Sequence, residues 1–585
     1  MTAPQERSAP PAASIVGFFT IATFALAFPL SPSKWTTHVP GNHGDALLNL
    51  WTLDWVGTHV DDGWGRLWDT TIFTPRANTL AYSESMLPVA LVHRALALVV
   101  QSDVLAFNLV YVATWICSGW FTYVLARRIT GSPGAALVAG LVFTFSAPRL
   151  VHYGFLQLGF AWMLPAVVLL VLRVFETRRI VWGAALGATA ALLALSSSYY
   201  GVVVLVALGA LVPTMLVLQR SEWRAVIAPL GVAAVVGAVL VAPVVYQYRE
   251  LQDDPHFQRE PEIGAAVDDF LRVSPDNYVL NELGVFASRS RPESATIEQR
   301  LFPGVAAIVL AGIGVVVMAR DRRSHAAVLA MLPAAALLLV LSFGERLVIG
   351  RRSWKVPWSG AWEAPGLESI RVPARFVVFP LLVLALVSAA GLAALLARLP
   401  SAHARGALLG GVVLLLGVET ASALQFARAP DDDGSTAVNE ALDERAPGVV
   451  VELPLRSPED GAAWAFVEMP RQYLSRIDGN ERLNGYSGFA PPDQGHLANA
   501  LDTFPSAESL DVLRAREVRY VVLRMSLPVG LASYEREAIV AAGLGAYTED
   551  EAAAIVADLP AGVRALGRYG DAYLLEVTAA AGGST

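Results

Sequence analysis

The stretch VLAFNLVYVATWICSGWFTYVL (Val104–Leu125) carries no charged side chain, and Arg127 and Arg128 follow it almost at once. An apolar run of this length matches the roughly 20 residues that a helix needs to cross a bilayer. The rest of the chain agrees with this stretch, because 55% of its 585 residues are hydrophobic and only 16% are charged. Soluble domains carry about 25% charged residues. We therefore expect an integral membrane protein.

Ten further apolar segments recur along the chain and predict, with the first, about 11 transmembrane helices. They are Ser14–Leu30, Gly134–Phe145, Phe160–Val174, Val181–Leu195, Tyr199–Leu218, Ala225–Tyr246, Phe302–Met318, His325–Phe343, Arg375–Ala397 and Ala407–Phe426. The predicted fold is mainly α, a polytopic membrane helix bundle over residues 14–428.

Arginine placement predicts the orientation of this bundle, because cytoplasmic loops are enriched in basic residues. If residues 1–13 form a disordered cytoplasmic tail, five short basic loops face the cytoplasm. Their arginines are Arg127, Arg128, Arg173, Arg178, Arg179, Arg220, Arg224, Arg320, Arg322, Arg323, Arg398 and Arg405. The longer loops 31–101, 247–301 and 344–374 then lie outside. Abundant arginine beside only two lysines indicates a bacterial chain, and we expect it in the inner membrane.

The apolar segment Met86–Val100 is predicted as a helix in the outer membrane interface, not as a span. His93 and Arg94 lie near its middle, where lipid disfavours charge. Counting the segment as a span would also place the later basic loops outside. An interfacial helix avoids both difficulties.

Residues 429–585 are predicted to form a separate extracytoplasmic α/β domain. Three β-rich apolar runs, Val449–Leu453, Val518–Leu523 and Ala572–Val577, alternate with helical stretches such as Ala507–Arg514 and Ser533–Ala542. The loop RLNGYSGFAPP (Arg482–Pro492) presents Tyr486, which we predict to be exposed and able to stack on a sugar. The alternative is a structured turn.

The first outer loop holds the strongest candidate for chemistry, GNHGDALLNLWTLDW (Gly41–Trp55). Asp45 and Asn49 share one face of the predicted helix at i,i+4 spacing. Asp45 therefore places a carboxylate at the outer mouth of the bundle. The alternative is that Asp45 only caps the helix.

Several motifs resemble the GT-C superfamily of integral-membrane glycosyltransferases, and the resemblance covers most of the chain. The motifs are GDALLNLW, LARRITGSPGAALVAGLVFTFSAP (Leu125–Pro148), PRLVHYGFLQL (Pro148–Leu158), SSYYG (Ser197–Gly201), RVPARF (Arg371–Phe376) and NGYSGF (Asn484–Phe489). The resemblance implies an inverting hexosyl or pentosyl transferase that takes its sugar from a polyprenyl-phosphate donor. The implied acceptor is a cell-envelope glycan, lipid or protein.

In that superfamily the first-loop acid acts as general base or orients the acceptor, and the matching residue here is Asp45. Many members pair this acid with a second carboxylate, but this chain has His43 before Gly44 and Asp45. The departure leaves open whether a divalent metal takes part. His43, Asn49, Tyr199, Tyr200 and Tyr486 are the other candidates for the substrate cleft.

The departing phosphate must be stabilised by cations, and arginine suits phosphate because its fork donates two parallel hydrogen bonds. Arg149, His152, Arg371 and Arg375 lie at predicted outer helix ends and are the candidates. The alternative is that they only reach lipid headgroups, just as Tyr199 and Tyr200 would suit an interfacial aromatic belt.

Two other classes of function stay open at this stage. A transporter or flippase of envelope precursors would need ionisable residues near the bilayer midplane, and few are found there. A non-catalytic scaffold of the same superfamily fits the missing second carboxylate. The net charge of −8 argues against nucleic acid as a partner.

Overall fold

The computed structural model of the chain describes residues 11–578, apart from 219–222, 253, 258–261, 275, 281–296, 322–324, 364–366, 368–369 and 431–434. Most of the predicted tail and the arginines Arg220, Arg322 and Arg323 lie outside the described residues. Contacts divide the chain into two compact units. The first comprises residues 1–30, 109–246 and 258–424, and the second 31–108, 247–257 and 425–585.

Apolar helices stand at all the positions where the sequence predicted spans. They are Ala12–Leu26, Asp103–Thr130, Pro133–Phe145, Leu156–Thr177, Ile180–Ser196, Ser198–Leu218, Trp223–Gln252, Val305–Arg320, Ala326–Ser342, Pro373–Arg398 and Ala402–Thr420. In the described part of the chain, six of these are long and apolar enough to cross a membrane. The last helix ends at Thr420, so the predicted span Ala407–Phe426 is wrong at its end, where Phe426 begins a strand.

Glycine allows two helices of the first unit to approach closely. A Cβ on Gly183 would lie 2.0 Å from the carbonyl oxygen of Pro229, and one on Gly187 would lie 2.2 Å from that of Ala233. The two glycines are four residues apart and therefore share a face of the helix Ile180–Ser196. This small-xxx-small pattern is a common way to bring membrane helices together.

The second unit contains a four-stranded sheet that confirms the predicted α/β fold of the C-terminal region. Its strand order is Val449–Leu453, Val518–Arg524, Ala572–Val577 and Val563–Tyr569. The first two strands are parallel and the other pairs antiparallel. Three strands are those predicted. The fourth was missed, because arginines and Gly567 interrupt its apolar pattern.

Both faces of this sheet are covered, as the alternation of its side chains requires. Tyr520 and Val522 face one apolar cluster, which includes Val438 and Leu442, while Val521 and Leu523 face another. The helices of the second unit are Asp45–His59, Trp64–Trp68, Leu87–Val100, Ala437–Asp443, Ala462–Leu474, Gln494–Leu501, Ala507–Ala515, Ser533–Ala541 and Glu549–Ala557.

The first outer loop belongs to the same compact unit as the C-terminal region. The strand His38–Pro40 pairs antiparallel with Phe426–Arg428, which ties the start of the loop to the start of the C-terminal segment. By contacts the second unit therefore includes residues 31–108, whereas the sequence prediction grouped residues 31–101 with the membrane domain.

Candidate functional site

A cavity in the first unit gathers several of the residues proposed from the sequence. Its empty space, including the part open to solvent, is about 260 Å³. Aromatic rings form most of its wall, and two basic side chains complete it. The lining residues are Tyr111, Trp115, Arg149, His152, Tyr153, Phe155, Leu158, Gly159 and Tyr200. We call this the cationic cavity.

Arg149 is a buried cation in the wall of this cavity. It lies in the single turn Ala147–Leu150 that follows the helix Pro133–Phe145, and it is 5% exposed. Its guanidinium lies over the rings of Trp115 and Phe143, at 5.6 and 5.3 Å, and Nη2 donates to Ser118 Oγ at 3.3 Å. Among the described residues, no carboxylate pairs with Arg149, and Nη1 has no hydrogen-bond partner.

His152 is held by two hydrogen-bonding partners. Nδ1 lies 2.8 Å from the carbonyl oxygen of Pro148, and Nε2 bonds to the carboxylate of Glu298. Because each ring nitrogen has its own partner, the orientation of the imidazole ring is fixed.

Arg375 contacts the same carboxylate from the other side. It lies in the turn Pro373–Val377, where Nε donates to Glu298 at 3.2 Å and Nη2 forms the closer bond. Its guanidinium also lies over the rings of Phe155 and Tyr199, at 5.0 and 4.6 Å. Burial alone would raise the pKa of Glu298, but the charges and hydrogen bonds of Arg375 and His152 hold that pKa well below its usual range.

Among the described residues, no carboxylate pairs with Arg149 in the cationic cavity, whereas Glu298 pairs with both His152 and Arg375. A buried charge without a partner costs several kcal/mol. An anion bound in the cavity would remove that cost, so the arrangement is suited to hold one.

Arg371, the fourth candidate for the phosphate, does not join this group. Its guanidinium pairs with Glu262 at 3.3 Å, and its side chain is 45% exposed. It is therefore a surface residue, although it lies only four positions before Arg375. Tyr200 lines the cavity, whereas Tyr199 lies beneath Arg375.

In the second unit, Asp45 is the first residue of the helix Asp45–His59 and is half-buried. The side chain of Asn42 accepts hydrogen bonds from the backbone N–H groups of Gly44 and Asp45, at 3.0 and 3.1 Å. Asn42 thus satisfies N–H groups at the start of this helix, as a capping residue does. The Asp45 carboxylate is not the N-cap.

His43 is nearly fully buried, with 2% exposure, and is held by Glu535. Nδ1 lies 2.8 Å from one oxygen of that carboxylate, and the backbone N–H of His43 donates to the other at 2.9 Å. Burial would raise the pKa of Glu535, but the hydrogen bonds and charge of His43 keep that pKa below its ordinary value. The glutamate therefore orients the residue two positions before Asp45.

The remaining cleft candidates are also placed in the second unit. Asn49 is buried one turn after Asp45. Tyr486 is half-buried, not exposed as predicted, because its ring packs edge-on against Trp464 with 4.7 Å between centroids. Its backbone N–H donates to Gln472 Oε1 at 2.7 Å. These contacts favour the alternative interpretation of the loop Arg482–Pro492 as a structured turn.

The sequence did not single out Glu298 or Trp115. Glu298 is one of several acids in the loop 247–301, and no local motif distinguishes it from the others. Trp115 looked like one more apolar residue of its helix.

No set of metal ligands is found in the part of the chain that the structure describes. No group of three or more histidine, cysteine, aspartate or glutamate side chains there is arranged to hold an ion.

Comparison with solved structures finds a similar fold in proteins named as glycosyl- or oligosaccharyltransferases. Arabinofuranosyltransferase AftD from Mycobacteria, in a mutant form, superposes over 98% of this chain with a TM-score of 0.56 and 15% identity. The Archaeoglobus fulgidus oligosaccharyltransferase tethered with an acceptor peptide superposes over 88% of this chain and 69% of its own length, with a TM-score of 0.51 and 11% identity. This chain spans 42% of the length of AftD.

No curated protein matches the sequence. One family model does, over residues 20–420, and its description is "Domain of unknown function (DUF6311)". Because this match includes more than half of the chain, the protein belongs to the DUF6311 family.

Proposed function

We propose that this protein is a membrane glycosyltransferase that moves a sugar from a polyprenyl-phosphate donor to a cell-envelope acceptor. The observation that carries the proposal is Arg149, a buried cation that pairs with no carboxylate among the described residues and lies in a cavity walled by aromatic rings. Such a residue is costly unless an anion binds beside it. A lipid phosphate would supply the anion, and its prenyl chain would stay in the bilayer.

In the proposed transfer step, the main task of the cavity is to stabilise the departing phosphate. The acceptor oxygen forms a bond to the anomeric carbon of the sugar while the bond from that carbon to the phosphate oxygen breaks. The electron pair leaves with the phosphate, so negative charge grows there. Cations held in place before the reaction stabilise that charge without reorganising. In the proposal Arg149 and His152 do this, and Arg375 and Glu298 orient His152.

Asp45 is the proposed general base and takes the proton of the acceptor hydroxyl. Attack by that hydroxyl in a single displacement inverts the anomeric configuration. His43 and Asn49, on the same turn and helix, are proposed to contact the acceptor.

The shared fold supports the proposal at a general level, since AftD is named an arabinofuranosyltransferase and the Archaeoglobus fulgidus protein an oligosaccharyltransferase. We propose that transfer occurs on the extracytoplasmic face of a bacterial inner membrane. The C-terminal region lies on that face in the orientation predicted from the basic loops.

Binding of undecaprenyl phosphate to the detergent-solubilised protein tests the cationic cavity. We expect the lipid to raise the thermal midpoint of the wild type and of Arg371→Met, but not that of Arg149→Met. Both variants lose one arginine, yet only Arg149 lines the cavity. Undecaprenol, the same lipid without phosphate, should have no effect. An equal shift for Arg149→Met, or for undecaprenol, contradicts the proposal.

Transfer from radiolabelled polyprenyl-phosphate sugars to membrane acceptors tests Asp45. Loss of a general base typically costs about 10²–10⁴-fold in rate, so Asp45→Asn should lose transfer to that extent while still binding undecaprenyl phosphate. Asp61→Asn, which changes an exposed acid of the same loop, should transfer normally. Full activity of Asp45→Asn would remove Asp45 as the base. Movement of lipid-linked sugar across vesicles without transfer would favour the transporter.

A further inference from the structure

A short exposed hairpin follows the helix Ala326–Ser342 in the first unit. Its strands Arg346–Ile349 and Arg352–Lys355 are antiparallel, with Leu347 opposite Trp354 and Ile349 opposite Arg352. Residues opposite each other in such a pair point to the same face. One face therefore presents Leu347, Ile349 and Trp354 together with Arg352. Ile349 and Trp354 are 44% and 47% exposed.

The hairpin is also strongly basic. Arg346, Arg351, Arg352 and Lys355 are all exposed, and none of them forms an ion pair with a described residue. Four exposed cations beside an exposed tryptophan and isoleucine make a surface of mixed character. Neither a purely polar nor a purely apolar partner would satisfy both parts.

Local contacts hold this surface close to the end of an apolar helix. The backbone N–H of Gly350, at the tip, donates to Asp268 at 2.7 Å. Three residues before Asp268, Ala265 donates its N–H to the carbonyl of Ser342, the last residue of the helix, at 2.8 Å. Three residues extend at most about 11 Å, so the tip stays near the helix end. The tethering turn exposes Val267 and Leu271 as well.

We propose that the Arg346–Lys355 hairpin and the turn Val267–Leu271 form an anchor that binds anionic phospholipid headgroups of the adjoining leaflet. Tryptophan favours the membrane–water interface, and basic side chains at that level are attracted to anionic lipids. The aliphatic side chains would enter the acyl boundary while the four cations contact headgroup phosphates. The proposal does not depend on the glycosyltransferase assignment.

A fluorescent label on the hairpin tests the anchor. The chain has one cysteine, Cys117, so Cys117→Ser with Ile349→Cys allows a single NBD label in the full-length protein. We expect its emission to shift to the blue in nanodiscs that contain phosphatidylglycerol, relative to phosphatidylcholine alone. Nitroxide-labelled lipids should quench it there. Arg351→Gln, Arg352→Gln and Lys355→Gln together should abolish the shift.

The matched control keeps the positive charges of the hairpin and changes only the shape of the basic side chains. Arg351→Lys, Arg352→Lys and Lys355→Arg together should preserve the blue shift, which separates loss of charge from loss of folding. Identical emission in both lipids, with quenching by aqueous iodide alone, overturns the anchor. So does a blue shift that an anionic polysaccharide or free phosphate produces without anionic lipid.

Discussion

Glu298 is the residue on which the charges of the cationic cavity depend, because it contacts both His152 and Arg375. Glu298→Gln would remove the charge of the carboxylate that pairs with both. Breaking a buried pair in this way costs about 3–5 kcal/mol, so we expect a clear fall in the thermal midpoint in detergent.

The control for Glu298 is Glu262→Gln. Glu262 pairs with Arg371 on the surface, and exposed pairs contribute about 1 kcal/mol or less. Equal falls in the thermal midpoint for the two substitutions would mean that Glu298, His152 and Arg375 do not form a buried ion-paired group.

The raised pKa of Glu468, a residue of the second unit, leads us to expect that stability depends on pH. Burial raises the pKa of this carboxyl to about 7, despite hydrogen bonds from Arg471 and Asn484. The unfolded chain loses this proton near pH 4.5, so the folded state holds it longer. Stability should therefore fall as pH rises from about 4.5 to 7, on the order of 3 kcal/mol in total.

The comparison that isolates Glu468 is the thermal midpoint of wild type minus that of Glu468→Gln, measured at pH 5 and pH 8. We expect the difference to be larger at pH 5, where the folded glutamate is still protonated. Glu444→Gln, at an exposed position, should show no such trend. A pH-independent difference for Glu468→Gln would contradict the raised pKa.

At the scale of the element, the contact between Ile180–Ser196 and Trp223–Gln252 depends on the absence of side chains at Gly183 and Gly187. Gly183→Ala would place a methyl group against the carbonyl oxygen of Pro229. Overpacking of this kind costs about 1–3 kcal/mol, so the thermal midpoint should fall.

Gly209→Ala is the matched substitution, since nothing lies within 4 Å of a Cβ there. Alanine is favoured over glycine within helices by roughly 0.5–1 kcal/mol, so this variant should be at least as stable as the wild type. If Gly183→Ala were equally harmless, the close approach of the two helices would be disproved.

The helix Leu87–Val100 has one face buried in the protein and another that is exposed and aliphatic. His93 and Ala97 are buried, while Leu91, Val92, Leu98 and Val99 are exposed. An exposed aliphatic face is what an interfacial helix requires. The placement predicted from the sequence thus has a suitable surface, because the polar His93 turns into the unit and not toward lipid.

For the whole molecule, the basic loops predict which ends of the chain face the cytoplasm. In a Cys117→Ser background, an impermeant maleimide should label Ala553→Cys from the outside of intact cells. Ala402→Cys should be labelled only after permeabilisation. Both alanines are exposed in the structure, so accessibility to the reagent depends on the membrane side alone. The reverse pattern would invert the predicted orientation.

The sequence by itself determined the membrane class, the positions of the apolar helices and three of the four strands of the C-terminal sheet. Hydrophobic run length and alternation are properties of neighbouring residues, so they can be read locally. It also marked Arg149, His152 and Arg375 as candidates, since basic residues at the ends of apolar segments stand out.

Only the tertiary structure decided which of those cations share a site. His152 and Glu298 are 146 residues apart, and no local pattern encodes their pairing or the exclusion of Arg371. Likewise, Glu535 meets His43 across 492 residues, so that first-loop turn belongs with the C-terminal region. Contacts of this kind arise when packing brings distant segments together, and burial then gives each charge its energetic weight.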